Sequence, residues 1–166
     1  EGPEFLDSFV RKASAEQKHF SLITPEEYLR RHPTHQVAQP AASSWGEEGY
    51  FRVWLNERNE WIYPHLQVAQ ERMTELARTL LEPPPLVARA LKQAARELLL
   101  AQSSDWPFIL RTGTSPEYAR QRVRDHLTRF LNLHQQLKRG RVNEKWLAEV
   151  EARDNLYPQI EPAYWA

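Results

Sequence analysis

The chain has 166 residues, its 22 Lys and Arg are balanced by 22 Asp and Glu, and 41% of its residues are apolar. This apolar content excludes a disordered chain, and the zero net charge argues against a polybasic nucleic-acid-binding protein. Cysteine is absent, which excludes disulfides and thiolate metal sites, and no apolar run reaches the roughly 18 residues of a membrane span. We therefore expect a cytoplasmic protein whose partners include neither a membrane nor a nucleic acid.

Residues 3–18 are predicted to form a helix because their apolar side chains recur on one helical face. Those side chains are Phe5, Leu6, Phe9 and Val10. Residues 20–23 are a short apolar run, and we expect one buried strand there. An apolar helical pattern that begins with the first residues suggests that the chain is a part of a longer protein.

A second helix start follows the expected strand. Thr24 is a candidate N-cap, Pro25 suits the first helical position, and Glu27 is placed to close a capping box. We expect this helix to end near His32, because the proline that follows disfavours helical angles in its predecessor. Helix, strand and helix in succession predict that residues 1–32 are the last piece of an alternating α/β domain.

The segment 33–60 is rich in Pro, Gly and Ser, and only residues 50–55 have the pattern of a short strand or helix. A long irregular segment in a compact protein is usually functional or disordered. The aromatic content of this segment and its boundary argues against disorder. Those aromatic residues are Trp45, Tyr50, Phe51, Trp54 and Trp61.

Residues 61–166 are predicted to form a helical bundle. Wide apolar stripes at three- and four-residue spacing mark three long helices, within residues 66–80, 87–101 and 123–137. Residues 108–110 are expected to be a short buried run. Gly140 is placed to end the third long helix and Asn143 to begin a shorter one. The tail after residue 155 is predicted to be irregular.

The sequence offers no strong metal, nucleophile or nucleic-acid motif. His32 and His35 have no second pair of ligands, and His126 and His134 are too far apart to share an ion, so we interpret the six histidines as ordinary surface or core residues. No serine lies in a Gly-x-Ser-x-Gly turn. The basic residues between 120 and 141 are interrupted by acidic ones, which is typical of a solvated surface. We expect no metal and no cofactor.

An aromatic, polar loop is the remaining candidate for a binding site. Trp45 and Trp54 share one loop with acidic and amide side chains, and Trp106 lies beside Asp105 on another. An indole face stacks on the C–H face of a sugar ring, while carboxylates and amides bind its hydroxyls. The open alternative is that these tryptophans only anchor the loop to the helices. The remaining tryptophans, interpreted as packing residues, are Trp61, Trp146 and Trp165.

Glycoside chemistry also requires two carboxylates that flank the bond. Glu47, Glu48 and Asp105 are the acidic residues beside these tryptophans. One loop of a helical bundle is a poor place to hold two carboxylates rigidly. We therefore expect no complete active site, and no catalytic residue, within this chain.

Three stretches carry a resemblance to a known family. Residues 43–56 read SSWGEEGYFRVWLN, residues 60–65 read EWIYPH, and residues 94–108 read AARELLLAQSSDWPF. They resemble, in order, the fifth conserved region, the opening of the helical domain and a second hallmark of glycoside hydrolase family 57, in its α-glucan branching enzyme branch. Glu48 departs from that pattern, since Gly is more usual there.

The resemblance implies an incomplete (β/α)7 barrel followed by a helical C-terminal domain. It assigns residues 1–32 to a remnant of the barrel, residues 33–60 to an aromatic loop facing the catalytic cleft, and residues 61–166 to the C-terminal domain. It also implies a retaining mechanism whose nucleophile and acid/base lie upstream of Glu1. The fold class we expect is therefore mainly α, with a helix-strand-helix piece in front of a bundle.

The resemblance further implies which residues meet the substrate. Trp45 and Trp54 match tryptophans that overhang the cleft, hold the glucan and exclude water, and Asp105 and Trp106 match a second loop that faces it. The implied partners are an α-glucan and the catalytic barrel of the same protein, and the implied reaction transfers a glucan segment to a 6-hydroxyl. The alternatives are an α-amylase or 4-α-glucanotransferase of the same family, or a non-catalytic helical interaction module.

Overall fold

The computed structural model describes all residues, 1–166, and they form two compact units, Glu1–Ala41 and Ala42–Ala166. Neither unit contains a β-strand. The helices are too short or too polar for any of them to traverse a lipid bilayer. The expectation of a mainly α protein with a helical bundle is confirmed.

The first unit contains helix α1 (Gly2–Ser14) and helix α2 (Pro25–Arg31). The predicted N-cap of α2 is confirmed, because the Thr24 hydroxyl oxygen accepts a hydrogen bond from the Glu27 N–H at 3.2 Å. The predicted capping box is wrong, since the Glu27 carboxylate pairs with Arg31 one turn later. A carboxylate and a guanidinium four residues apart face each other on a helix, which explains the preference.

The predicted strand at residues 20–23 is wrong, and the backbone there is irregular. A strand is stable only when a neighbouring strand satisfies its backbone groups, and this unit has none. The side chain of Gln17 takes that role locally. Its oxygen accepts hydrogen bonds from the backbone N–H groups of His19 and Phe20, and its amide donates to the Phe20 carbonyl.

The second unit is a bundle of five helices, α3 (Ile62–Thr79), α4 (Pro85–Ala101), α5 (Asp105–Thr112), α6 (Pro116–Lys138) and α7 (Glu144–Arg153). Helix α4 packs mainly against α6, and it also contacts α3 and α7. Prolines begin α4 and α6, where the missing N–H costs nothing. The three long helices predicted from the apolar stripes are confirmed.

Helix α4 lies at the centre of the bundle because its inward face is built from small residues. Three alanines, Ala90, Ala94 and Ala95, are fully buried, and their short side chains allow neighbouring helices to approach closely. Phe130 and Leu133 of α6 are also fully buried and fill the space this leaves. Dense packing of this kind gives the bundle its rigidity.

Two predicted helix ends in the bundle are confirmed. Gly140 has a φ of 63° and follows α6, its N–H donates to the Leu137 carbonyl, and the Arg141 N–H donates to the Gln136 carbonyl. This is a Schellman motif, and the positive φ is the reason for glycine. Asn143 caps α7, since its side-chain oxygen accepts from the backbone N–H of Trp146 at 3.1 Å.

Residues 108–110 differ from the expected buried run, because they lie inside α5. A helix turns successive residues to different sides. Leu110 is therefore buried, while Phe108 is 37% exposed. This orientation of Phe108 determines the shape of the site described next.

Candidate functional site

Three aromatic side chains form one cluster on the second unit. The ring centroids of Trp45 and Trp54 are 6.0 Å apart, and those of Trp45 and Phe108 are also 6.0 Å apart. Trp54 and Phe108 are separated by 6.4 Å. The planes are inclined to one another by 46°, 39° and 37° respectively. We call Trp45, Trp54 and Phe108 the aromatic platform.

The two tryptophans of the platform are joined through the backbone. The indole N–H of Trp54 donates to the Trp45 carbonyl at 2.8 Å, and the Tyr63 hydroxyl donates to the Trp54 carbonyl. Trp54 is half-buried, whereas Trp45 is 70% exposed. Most of the Trp45 indole is therefore accessible to solvent, because little of the bundle covers it.

A buried asparagine ties the loop of the platform to helix α5. Asn59 is fully buried, and its side-chain amide donates to the carbonyls of Val53 and Pro107 at 2.9 and 3.2 Å. Its side-chain oxygen accepts from the Asn56 N–H at 2.8 Å. Because Pro107 directly precedes Phe108, this one side chain fixes the loop and the third ring of the platform relative to each other.

An ion pair makes a second connection between the loop and α5. The Arg111 guanidinium donates to both carboxylate oxygens of Glu47, at 3.1 and 2.6 Å. This bidentate geometry is specific as well as strong. The hydrogen bond from Arg111 holds the pKa of the Glu47 carboxyl below its usual value. Glu47 is thus engaged as an ionised partner of Arg111.

The turn that carries Trp45 requires unusual backbone angles. Gly46 has a φ of 137°, and a Cβ atom there would lie 2.8 Å from the Val53 side chain, so only glycine fits. Glu48 has a φ of 60°, which is uncommon for a residue other than glycine. The Glu48 carboxylate pairs with Arg52 at 3.0 Å.

Trp106 lies in the core rather than in the platform. It is 8% exposed, its indole N–H donates to the Leu100 carbonyl at 2.7 Å, and its ring meets Tyr118 edge-on. The Arg122 guanidinium lies 5.8 Å from the centroid of the indole ring. Most of the indole is therefore occupied by protein contacts.

Asp105 is the first residue of α5, and its side chain is exposed. Its carboxylate accepts a hydrogen bond from the Ser103 hydroxyl at 2.6 Å. Helical spacing places Asp105 on the same side of α5 as Phe108. The structure thus brings Trp45 and Trp54 together with a ring that sequence reasoning did not select.

The missed residue, Phe108, had a detectable signal. In α5, Trp106 and Leu110 are the buried pair, four residues apart, so they share one face. Phe108 lies between them and faces away. Reading residues 105–112 as a helix rather than as a buried run would have placed Phe108 on the surface beside Asp105.

A second cluster, inside the bundle, is polar and charged. We call it the buried polar network, and it consists of Gln93, Arg96, Glu97, His126, Arg129 and Asp154. His126 Nδ1 lies 2.7 Å from Glu97 Oε2, and the Gln93 amide donates to Glu97 Oε1 at 2.9 Å. Arg129 Nη1 lies 3.0 Å from Asp154 Oδ2 and 3.8 Å from Glu97 Oε2.

Burial raises the pKa of the Glu97 carboxyl, and hydrogen bonds from His126 and Gln93 oppose that shift. Glu97, His126 and Asp154 are residue types that bind metals, and their ligand atoms lie within 4.8 Å of one another. The Arg129 guanidinium already contacts both carboxylates. This cation supplies the charge that buried carboxylates require, and we interpret the network as a structural element.

The sequence contains a sign of this network that the histidine spacing alone did not reveal. Glu97 lies in the apolar stripe of α4, three residues after Ala94 and four before Ala101, both of which are buried. His126 occupies the corresponding position in α6, between Val123 and Phe130. A charged or polar residue within a buried stripe needs a partner, and these two residues partner each other.

Comparison with known proteins shows a matching family and a curated relative. Residues 65–165 match the family model described as 1,4-alpha-glucan branching enzyme, C-terminal. A curated relative, the 1,4-alpha-glucan branching enzyme of Thermococcus kodakarensis, is 38% identical over 130 residues, which are 76% of this chain and 19% of the relative. The chain thus spans about a fifth of the length of that relative.

Several solved structures resemble the chain, among them an alpha-amylase and two branching enzymes. A crystal structure of the novel alpha-amylase AmyC from Thermotoga maritima is 41% identical, with a TM-score of 0.68 over 100% of this chain and 30% of that one. The glycoside hydrolase family 57 branching enzyme of Pyrococcus horikoshii is 32% identical, with a TM-score of 0.72, and the match covers 99% of this chain and 32% of that one. The branching enzyme of Thermococcus kodakaraensis, in complex with glucose and additives, is 31% identical, with a TM-score of 0.77, and the match covers 89% of this chain and 28% of that one.

Proposed function

The chain belongs to the family of 1,4-alpha-glucan branching enzyme C-terminal domains, and from that premise we propose that it holds α-glucan for a branching reaction. The bond-making residues belong to a catalytic barrel of the same protein. The curated relative is about four times as long as this chain, since the 130 matched residues are only 19% of it. The reaction is accordingly proposed for the whole protein, and glucan binding for this chain.

The observation that carries the proposal is the aromatic platform. Its rings present apolar faces to solvent at mutual inclinations of 37° to 46°. The α-1,4 linkage turns each glucose relative to the next, so the chain curves and its sugar faces point in successive directions. Inclined rings match a curved glucan better than a flat β-1,4 chain, whose sugar faces are parallel. Polar partners for the hydroxyls lie beside the rings, at Glu47 and Asp105.

Branching requires that an acceptor 6-hydroxyl, and not water, takes the glycosyl group from the covalent intermediate of a retaining enzyme. Trp45 and Trp54 would cover the acceptor side of the cleft, where bulky apolar rings exclude water and orient the glucan. This chain supplies no catalytic carboxylate in the proposal. Its contribution is the ratio of transfer to hydrolysis.

Asp105 and Trp106 take different parts in this proposal. Asp105 is exposed beside Phe108 and binds a glucan hydroxyl. Trp106 is a positioning residue, because its buried indole fixes the start of α5 through the Leu100 carbonyl. Through that helix it holds the ring of Phe108.

The first unit is proposed to complete the barrel. Its helix α1 exposes a row of apolar side chains, namely Phe5, Leu6, Phe9 and Val10. A contiguous exposed apolar face marks an interaction site, which supports the assignment of residues 1–32 to the barrel, with residues 33–60 as the loop over its cleft and residues 61–166 as the C-terminal domain. We further propose the cytoplasm as the setting, since a cysteine-free chain suits a reducing compartment.

The test uses the full-length enzyme that contains this domain, with Trp45→Ala and Trp54→Ala as separate variants. We expect fewer new α-1,6 linkages per new reducing end, because water gains access to the intermediate. Tyr50→Ala is the matched control, since Tyr50 is an exposed ring of the same loop outside the platform. A ratio of transfer to hydrolysis that is unchanged in both tryptophan variants would contradict the gating role.

A second candidate function is α-glucan hydrolysis, favoured by the 41% identity to the Thermotoga maritima alpha-amylase over the whole chain. Linkage analysis of the products of the full-length enzyme separates the candidates. A branching enzyme makes α-1,6 bonds, an amylase only releases reducing ends, and a 4-α-glucanotransferase makes new α-1,4 bonds. A helical interaction module would bind no malto-oligosaccharide.

A further inference from the structure

A cleft of about 700 Å³ lies between α4 and the C-terminal tail, and it shares no residue with the aromatic platform. Its size is within the range of ligand-binding pockets. We call it the tail cleft, and it is lined chiefly by Leu99, Tyr157, Gln159, Ile160, Tyr164 and Trp165. None of its lining residues is charged, so the cleft suits a neutral ligand.

The tail cleft combines ring faces with hydrogen-bonding groups. Tyr164 is 75% exposed, and its ring centroid lies 6.5 Å from that of Trp165, with the planes inclined by 38°. Tyr157 and Gln159 are exposed at the same cleft. Two phenol hydroxyls and one amide therefore accompany three aromatic rings, which is the combination that binds sugars.

The turn that presents Tyr157 is held in a costly conformation. Tyr157 has a φ of 51°, and a residue other than glycine in this region is strained and persists only when its surroundings enforce it. Arg96 enforces it, because its guanidinium donates to the carbonyls on either side, those of Leu156 and Pro158, at 2.8 and 3.5 Å.

Arg96 is itself fixed, since it is 9% exposed and donates to the Gln93 side-chain oxygen at 3.0 Å. The buried polar network thus determines where the exposed Tyr157 ring points. The Ile160 N–H closes the turn by donating to the Tyr157 carbonyl at 3.0 Å. Because the turn is already fixed before binding, the protein loses less conformational entropy when a ligand binds.

We propose that the tail cleft is a second α-glucan-binding site of this domain. The identity of the ligand rests on the proposed function of the aromatic platform, whereas the existence of a sugar site rests on the cleft itself. The inclination of Tyr164 to Trp165 is close to that of the platform rings, and it favours a curved α-1,4 chain in the same way. Two sites on one domain would raise the affinity for a long glucan through avidity.

The test is electrophoresis of the chain in native gels that contain glycogen, because a polymeric ligand retards even a weakly binding protein. The platform variant carries Trp45→Ala and Trp54→Ala, and the cleft variant carries Tyr157→Gly and Tyr164→Ala. Glycine adopts a positive φ without strain, so Tyr157→Gly removes the ring and keeps the turn. Tyr28→Ala, at an exposed ring of the first unit, is the matched control.

We expect glycogen to retard the platform variant, and the addition of the two cleft substitutions to lower its affinity roughly tenfold or more. Circular dichroism verifies that each variant retains its helices. The second site is refuted if the platform variant migrates as in a gel without glycogen, or if the cleft substitutions change nothing in that background. Equal retardation by hydroxyethylcellulose would refute the preference for an α-linked chain.

The outcomes also distinguish this proposal from that for the aromatic platform. If only the cleft variant loses retardation, the tail cleft is the glucan site and the binding role of the platform fails. If only the platform variant loses it, the platform role stands and the tail cleft does not bind glucan. A wild-type chain that glycogen does not retard contradicts the tail cleft, and the platform is then judged by the linkage ratio of the full-length enzyme.

Discussion

The aromatic platform and the buried polar network depart from the usual distribution of side chains in opposite ways. The platform exposes large apolar rings, and the network buries charges. Trp45 is 70% exposed and Glu97 is fully buried. A cluster of exposed rings is the kind of surface that binds a ligand, as we propose for the platform, whereas buried charges are tolerated only when they are paired. The two regions teach that function and architecture are separated in this domain.

The largest expected effect is the loss of a charge from the network. Glu97→Ala leaves the buried Nδ1 of His126 without its partner and removes one of the acceptors of the Gln93 amide, and we expect it to lower the free energy of unfolding by about 3–5 kcal/mol. Urea unfolding followed by circular dichroism measures the change. Glu71→Ala, at an exposed position of α3, is the control and should change it by less than about 0.5 kcal/mol.

If both substitutions had similarly small effects, the network would not have the structural role assigned to it. The contrast between a structural network and a ligand-binding platform would then no longer hold. The same experiment on Trp45→Ala completes the comparison. A side chain so exposed should contribute little to the free energy of unfolding, although we propose that its removal impairs glucan binding.

The next effect concerns the turn beneath the platform. Gly46→Ala places a Cβ atom against Val53 and strains the backbone, and we expect a loss of about 1–3 kcal/mol together with weaker maltoheptaose binding. Glu48→Gly is the matched control, because it relieves a positive φ in the same turn. Relief of that strain and the greater freedom of glycine in the unfolded chain offset each other, so a change within about 0.5 kcal/mol is expected.

Urea unfolding and maltoheptaose titration of Gly46→Ala and Glu48→Gly check this prediction. Our account of the turn is contradicted if Gly46→Ala is as stable as the wild type, or if Glu48→Gly is the more damaging change. Either result would mean that the observed angles do not determine the position of Trp45.

The smallest expected effects are two pH dependences of opposite sign. Burial raises the pKa of Glu97 above its ordinary 4.5, so the folded chain binds this proton more tightly than the unfolded chain. Its contribution to stability is therefore lost as pH rises from 4.5 through the raised pKa. The hydrogen bond from Arg111 lowers the pKa of Glu47 below 4.5, so its contribution is present above that value and is lost as pH falls through the folded pKa.

Unfolding free energies of the wild type, Glu97→Gln and Glu47→Gln across acidic to neutral pH test this pair. The free energy of unfolding of the wild type minus that of Glu97→Gln should fall as the pH rises. The same difference taken for Glu47→Gln should rise. Differences of the same sign would show that the two carboxylates do not have the contrasting environments described here.

The sequence predicts the helices of the bundle because each long helix has an apolar stripe that its neighbours bury. It selects Trp45 and Trp54 as candidate glucan-binding residues because they lie in one specific motif. The strand at residues 20–23 could not be rejected from sequence, since an apolar run becomes a strand only where another strand pairs with it. The family resemblance implies a barrel whose strands could pair with this run, but the first unit contains no strand.

Contacts between distant segments explain what sequence reasoning missed. Phe108 joins Trp45 only because Asn59 and Arg111 connect the loop to α5. Asp154 joins Glu97 through Arg129, across more than fifty residues of chain. Neither pairing has a local signature, although a charge within an apolar stripe indicates that a partner exists.

The central claim, that Trp45 and Trp54 bind α-glucan, is tested most directly by the indole N–H signals of the six tryptophans in a nuclear magnetic resonance titration with maltoheptaose. Assignment follows from single Trp→Phe variants. We predict that the Trp45 and Trp54 signals shift in a saturable manner, while those of Trp61 and Trp146, which pack against the core, stay in place. Saturation with the Trp45 and Trp54 signals unmoved would contradict the claim.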